Sequence, residues 1–177
     1  MATKAQPTNG LELLRDDHRR VKDLLDRFEA LGERGDQRVK ERVARQICAE
    51  LLLHAKLEET ILYPLCREAL DADSKIDEAE VEHEGVETLI TKLNSMDADD
   101  DQFDATVKVL GEQVEHHVEE EEQELFPMIR ASGMDLDALG DELVTQRQEL
   151  LEHADTTFGR ITMMVKELFS ASERRPS

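Results

Sequence analysis

Aromatic residues are nearly missing from this chain: they make up 3% of its 177 positions, with one tyrosine and no tryptophan. Proline is also scarce, at four. Glu, Leu, Asp, Ala and Arg are the commonest residues instead, and all of them but Asp favour helices over strands. No apolar run approaches the roughly 20 residues needed to cross a bilayer. The opening "MATKAQPTNGLELLRDD" has no apolar stretch of the kind a secretory signal carries, so a cytoplasmic location is expected. Cysteine occurs twice, as Cys48 and Cys66. On one helix their spacing puts them about 27 Å apart, which excludes a disulfide within the chain. They read as small buried hydrophobes in a reducing compartment.

Positive charge is the other shortage. Lys and Arg number 22 against 42 Asp and Glu, for a formal net charge of -20. Such a surface repels phosphates, which argues against nucleic acid and anionic membranes as partners. It also leaves many carboxylates free to meet cations. Walker loops, dinucleotide fingerprints and nucleophile elbows are missing. The acidic "DADDD" fails as an EF-hand. Counted from Asp97, the sixth position is Gln102 and the twelfth Lys108, where glycine and glutamate are needed.

What is there is helical periodicity. The spacing predicts a loose lead over 1–9, with Asn9 or Thr8 capping a helix that starts near Gly10. Leu14, His18, Val21, Leu25 and Phe28 line one face of it, and "LGERGD" ends it. A second helix is expected from about Gln37 to Leu70, with Ile47, Leu51, His54, Glu58, Ile61 or Leu62, and Leu65 inward. A third, about 75–95, carries Ala79, His83, Val86, Ile90 and Leu93. A fourth, about 102–131, carries Val114, His117, Val118, Glu121, Leu125 and Met128. These four make an all-α, up-and-down four-helix bundle over 10–131. A further helical extension over 132–170 repeats Leu136, Leu139, Leu143, Leu150, Phe158, Ile161, Val165 and Leu168. It is expected to dock on the bundle, with Gly140 and Gly159 as places to break or bend. Residues 171–177 read as a tail. A monomer is the expected oligomeric state.

The chain also matches itself. "HRRVKDLLDRF" (18–28) aligns with "HEGVETLITKL" (83–93), and "HAKLEETILYP" (54–64) with "HVEEEEQELFP" (117–127). His54 falls on His117, Glu58 on Glu121, Glu59 on Glu122, Tyr63 on Phe126 and Pro64 on Pro127. Two alignments at nearly one offset imply a duplicated helix pair, packed with approximate two-fold symmetry. Whatever His18, His54 and Glu58 build, His83, His117 and Glu121 should build opposite.

The chemistry follows from the stripes. Positions i and i+4 lie one above the other on a helix. His54/Glu58 and His117/Glu121 therefore each aim an imidazole and a carboxylate along the apolar stripe. An ionised carboxylate in a dry core costs several kcal/mol unless a cation compensates it. Lysine and arginine are scarce on these stripes, so a pair of metal ions fits, with bridging carboxylates between them. Imidazole with carboxylate suits iron, manganese or zinc rather than calcium or magnesium. A single buried histidine is ordinarily a hydrogen-bonded core residue, and a lone His/Glu pair is ordinarily a surface pair. Four repeat-related histidines on apolar stripes are better explained by metal.

His18, "HAKLEETILYP", "EHEGVE" (82–87) and "HHVEEEEQELFP" (116–127) together resemble the hemerythrin family, in its bacterial HHE cation-binding branch. The resemblance covers roughly residues 10–131. It implies a non-haem centre of two iron ions, bridged by carboxylates and an oxo or hydroxo group, inside a four-helix bundle. His18, His54, Glu58, His83, His117 and Glu121 map onto the family's ligand positions. Oxygen-carrying members have a second histidine four residues after that of the third helix, where this chain has Glu87. They also place an aspartate five residues after the fourth-helix histidine, where this chain has Glu121 at four. The centre is richer in carboxylate, which turns the expectation from reversible oxygen carriage toward family members linked to iron sensing, nitrosative-stress repair or peroxide turnover. The expected function is binding of dioxygen or a related small oxidant (peroxide, nitric oxide) in sensing or stress response. A di-iron peroxidase or catalase-like enzyme, iron handling and a metal-free interaction bundle are the alternatives.

Glu87, four residues after His83, is a candidate seventh ligand; otherwise it is a rim glutamate. A ferritin-like site would need Glu-x-x-His on two helices, and only Glu80–His83 matches. Tyr63 lies five residues past Glu58, roughly 140° around the helix, and reads as packing between helices. His116 falls on a polar face, and His153 reads as a surface histidine. Pro64 and Pro127 each remove a backbone donor and are expected to kink their helices just beyond the ligands.

Overall fold

The computed structural model describes residues 9–152, and these are helical without any strand. The first helix, α1 (Gly10–Leu31), begins where Asn9 accepts the N–H groups of Leu11 at 3.1 Å and Glu12 at 3.3 Å. Those are donors that no helical carbonyl can reach. It stops at Gly32, whose φ of 60° suits a residue without Cβ. Asp36 caps α2 (Gln37–Leu57) through the N–H of Val39. Then come α3 (Tyr63–Ala69), α4 (Asp73–Asn94), α5 (Phe103–Glu120), α6 (Phe126–Ser132) and α7 (Leu136–Glu152). Gly133, at φ 79°, ends α6 in the left-handed conformation common at helix ends.

The second and fourth rods are continuous, as the periodicity predicts, but neither is wholly α-helical. A π turn, Glu58–Leu62, joins α2 to α3, and another, Glu121–Leu125, joins α5 to α6. The prolines explain the position. Pro64 and Pro127 cannot donate to the preceding turn, and their rings crowd its carbonyls. In the widened turns Tyr63 N–H reaches back five residues to the Glu58 carbonyl, and Phe126 N–H to that of Glu121. In place of the expected kink just beyond the ligands, the structure has a π turn that starts at each inward glutamate and ends before the proline.

Antiparallel order can be read from the core. One apolar cluster takes Leu11 and Leu14 of α1, Leu57 and Leu62, Ile76 and Ala79 of α4, and Leu125, Phe126 and Ile129. The other takes Val21 and Phe28, Ile47 and Leu51, Val86 and Ile90, and Val107 and Val114. In α1 and α4 the first cluster precedes the second, whereas in the other two rods the order reverses. Each fully buried leucine or isoleucine contributes about 1.5–3 kcal/mol. Between the clusters lies a layer of buried polar residues: His18, His54, Glu58, His83, His117 and Glu121. Cys48 and Cys66 are free and buried in opposite clusters, and burial pushes both thiols up to about 12.

The helix α7 packs on α1, α2 and the first π turn. A Cβ on Gly10 would come within 2.5 Å of Leu139 Cγ and 3.0 Å of the Gly140 amide nitrogen, so the bare glycine permits the close approach. Gly140 does not break α7; it is buried in this contact. Thr8, His153 and the stretch from Phe158 through Leu168 with Gly159 lie outside the described residues.

Candidate metal centre

The six inward residues of the stripes meet in one layer. From α1 and α2, His18 Nε2 and His54 Nε2 stand 3.1 Å apart. From α4 and α5, His83 Nε2 and His117 Nε2 stand 3.2 Å apart. The two glutamates at the starts of the π turns lie between these pairs. Glu58 Oε1 is 3.1 Å from His54 Nε2, and Glu58 Oε2 is 3.4 Å from His83 Nε2 and 3.9 Å from His117 Nε2. Glu121 Oε2 is 3.6 Å from His18 Nε2 and 3.7 Å from His117 Nε2. Two fully buried groups of donors converge closely enough for a metal ion: His18, His54, Glu58 and Glu121, and Glu58, His83 and His117. Glu58 belongs to both, and Glu121 reaches a histidine of each pair. Glu87 is exposed and stands in neither group, because the turn of α4 that buries His83 and Val86 carries Glu87 past the stripe.

A ring of outer carboxylates faces the other histidine nitrogens. Glu122 Oε1 lies 2.8 Å from His18 Nδ1, Glu59 Oε1 3.2 Å from His83 Nδ1, and Glu82 Oε2 2.8 Å from His117 Nδ1. Asp17 Oδ2 lies 3.5 Å from His54 Nδ1, which makes no hydrogen bond. These partners obey the repeat. Glu59 and Glu122 follow the two inward glutamates, and Asp17 and Glu82 precede the histidines of α1 and α4. Repeat-related carboxylates beside repeat-related histidines were a usable signal, since outer partners orient a metal-binding imidazole. Periodicity alone did not reveal it.

Three Nδ1 atoms facing carboxylates fix those rings as Nδ1–H donors. Their Nε2 atoms then carry lone pairs aimed into the layer. Two such lone pairs, His83 and His117, face each other at 3.2 Å, and Glu58 Oε1 and Glu121 Oε2 are buried without a hydrogen-bond partner. The arrangement repels itself unless positive charge stands among it, either as protons or as metal ions. In the metal-free protein the protons supply it. Burial lowers the affinity of His117 for a proton, but Glu121, Glu58 and Glu82 more than reverse this and raise it well above the ordinary histidine value. His83 is raised in the same way against burial, by Glu58 and Glu59. Burial pushes the Glu58 carboxyl up, yet His54, His117 and His83 outweigh burial and hold it well below the usual carboxylate range.

Tyr63 departs from its expected role as packing. It is fully buried, and its Oη donates to Glu121 Oε1 at 3.0 Å, with His83 Nε2 at 3.4 Å and Glu58 Oε2 at 3.5 Å. The π turn moves it there, because a wider turn changes the angle that separates residues 58 and 63. Burial, then Glu58 and Glu121, push its hydroxyl far above the ordinary tyrosine value, so it remains protonated. Its repeat partner Phe126 stacks on His18 at 5.9 Å between ring centres.

Comparison with known proteins agrees with this layout. The model of the hemerythrin HHE cation-binding domain family matches residues 9–129. A crystal structure of a hemerythrin HHE cation-binding domain-containing protein from Mycobacterium kansasii is 22% identical. It superposes with a TM-score of 0.68 over 88% of this chain and 97% of that one, a likeness of fold. No curated protein gives a significant match. On the strength of the matched residues, which include all four inward histidines and both inward glutamates, the chain belongs to the hemerythrin HHE cation-binding domain family.

Proposed function

We propose that the layer holds two iron ions. His18 and His54 would hold one and His83 and His117 the other, with Glu58 and Glu121 as the carboxylates within reach of both histidine pairs. We propose further that the loaded protein binds dioxygen or a related small oxidant in sensing or stress response. The observation that carries this reading is the buried donor set: the inward lone pairs of His83 and His117 facing each other, with two orphaned carboxylate oxygens, Glu58 Oε1 and Glu121 Oε2, in the same layer. Nitrogen and oxygen donors without thiolate suit iron. Two such ions supply one-electron redox chemistry to a small bound molecule.

The chain's own residues do the rest. Leu57, Leu62 and Phe126 on one side and Val86 and Val114 on the other flank the layer with apolar surface. The outer carboxylates lock ring orientation and make the imidazoles better donors. A groove of about 1050 Å³ between α1 and α5 reaches His18 and Glu122 past Val21, Leu25, Val114 and Val118, and gives a small molecule a route in. Tyr63 favours a second reading, peroxide turnover, because it keeps a hydroxyl proton beside Glu121 within the layer. Peroxide consumption by the iron-loaded chain and by Tyr63→Phe separates the readings. Turnover that falls in the variant at unchanged iron content supports the enzyme, and no turnover in either leaves binding and sensing.

A further inference from the structure

His54 is the exception among the four inward histidines. The other three have Nδ1 bonded to a carboxylate, whereas His54 Nδ1 has no partner although Asp17 Oδ2 is only 3.5 Å away. The reason lies outside the layer. Asp17 is buried, and both of its oxygens are taken: Oδ1 by the Arg20 guanidinium and Oδ2 by Nη2 of Arg147. Arg20 also lies 3.6 Å from the buried Glu50 of α2. The repeat partner of Asp17 is Glu82. It has no guanidinium against it among the described residues and sits squarely on His117 at 2.8 Å. The repeat partner of Arg20 is Gly85, and Arg147 has none, since α7 lies beyond the duplicated pair. It also lies beyond residues 9–129 that the family model matches.

We propose that Arg147 is a positioning residue for the metal centre. It holds Asp17 off His54, so that the ion on that side is bound by an imidazole without a carboxylate partner, and docking of α7 thereby sets the two metal positions apart. The proposal rests on the two-ion reading above. Its sign is definite. Removing the guanidinium takes a positive charge from beside a cation site. It also frees Asp17 Oδ2 to accept the His54 Nδ1–H, and both changes strengthen the hold on metal. A purely structural Arg147 would act the other way, since loss of a buried ion-pair partner loosens the fold.

The test titrates the full-length chain with ferrous iron under argon and measures the midpoint potential of the loaded protein. Arg147→Met, Arg147→Lys, Asp17→Asn and the double variant Arg147→Met with Asp17→Asn are compared with wild type. Arg147→Met is expected to bind the more weakly held ion about tenfold more tightly, the scale of outer-partner effects on metal sites, and to have a lower midpoint potential. Arg147→Lys should stay close to wild type, and the effect of Arg147→Met should shrink once Asp17 is asparagine, to the part that comes from the lost charge alone. Iron binding that is unchanged or weaker in Arg147→Met overturns the inference, as does an undiminished effect in the Asp17→Asn background. A wild-type chain that takes up no iron overturns the two-ion reading itself. That failure is distinct from a loaded wild type matched by a loaded variant.

Discussion

The two halves of the metal layer are alike in their donors and unlike in their surroundings. Each half has two histidines with Nε2 inward and a glutamate at the start of a π turn. Around His18 and His54 stand the Phe126 ring, an Asp17 gripped by two guanidiniums, and a wide groove. Around His83 and His117 stand the Tyr63 hydroxyl and a Glu82 whose second oxygen faces exposed His116 at 3.6 Å. A small cavity there is lined by Glu78, Glu120 and Glu124. A duplication that keeps the donors must keep their stripe and the turn that aims them. It does not need to keep what lies behind them, and that is where two equivalent positions become two different ones.

The largest effect that would break the comparison removes a residue shared by both halves. Glu58→Ala deletes the carboxylate common to both donor groups and is expected to abolish two-ion binding, with metal affinity falling at least about 100-fold. Retention of wild-type metal content in a folded Glu58→Ala protein would contradict the shared-bridge reading.

Next in size is pH. His83 and His117 bind protons more tightly folded than unfolded, so their contribution to metal-free stability is complete below the ordinary 6.5 and is lost as pH rises through their folded values. Glu58 is lowered, so its contribution is present above the ordinary 4.5 and is lost as pH falls through its folded value. The metal-free chain is therefore most stable between these values. Metal needs the histidines neutral, so its stabilisation grows with pH. Thermal melts with and without ferrous iron should diverge as pH rises from about 6 to about 8. A gap that stays constant or narrows contradicts proton-for-metal exchange.

Exchanging the two aromatics sharpens the difference between the halves. Tyr63→Phe should leave iron content intact. If the layer turns over peroxide, the rate should drop about 100-fold, the low end for a lost proton donor. Adding Phe126→Tyr moves a hydroxyl to the His18 side, and recovery of the rate would show that either half can use it. The smallest effect concerns docking. Gly10→Ala forces a Cβ against Leu139 and should cost about 1–3 kcal/mol in chemical denaturation, with the donors untouched. An unchanged midpoint of unfolding would mean that α7 yields without cost.

Much of this was legible in the residues. Helical spacing located five rods because each carries a clean apolar stripe, and the duplication singled out His117 and Glu121 within "HHVEEEEQELFP". What could not be read was anything that depends on a change of helical pitch or on contacts between rods. Placing Tyr63 by 100° per residue turned it away from Glu58, and the π turn brings its hydroxyl to 3.0 Å from Glu121. Glu87 shares the i+4 spacing of the true inward pairs, yet on α4 it ends up exposed. Asp17 and Glu82 look like ordinary surface acids beside a histidine. Only the packing of α1 against α2, and of α4 against α5, turns each toward the neighbouring rod's imidazole. Arg147 was beyond reach because nothing in its own helix points to Asp17.

The proposed occupancy of the matched histidine–carboxylate positions by two iron ions stands or falls on metal content. It is tested most directly by metal analysis of the purified chain, together with absorption spectra of its oxidised and reduced forms. About two irons per chain are expected, with a charge-transfer band that disappears on reduction. A single zinc per chain, with no such band, would contradict it.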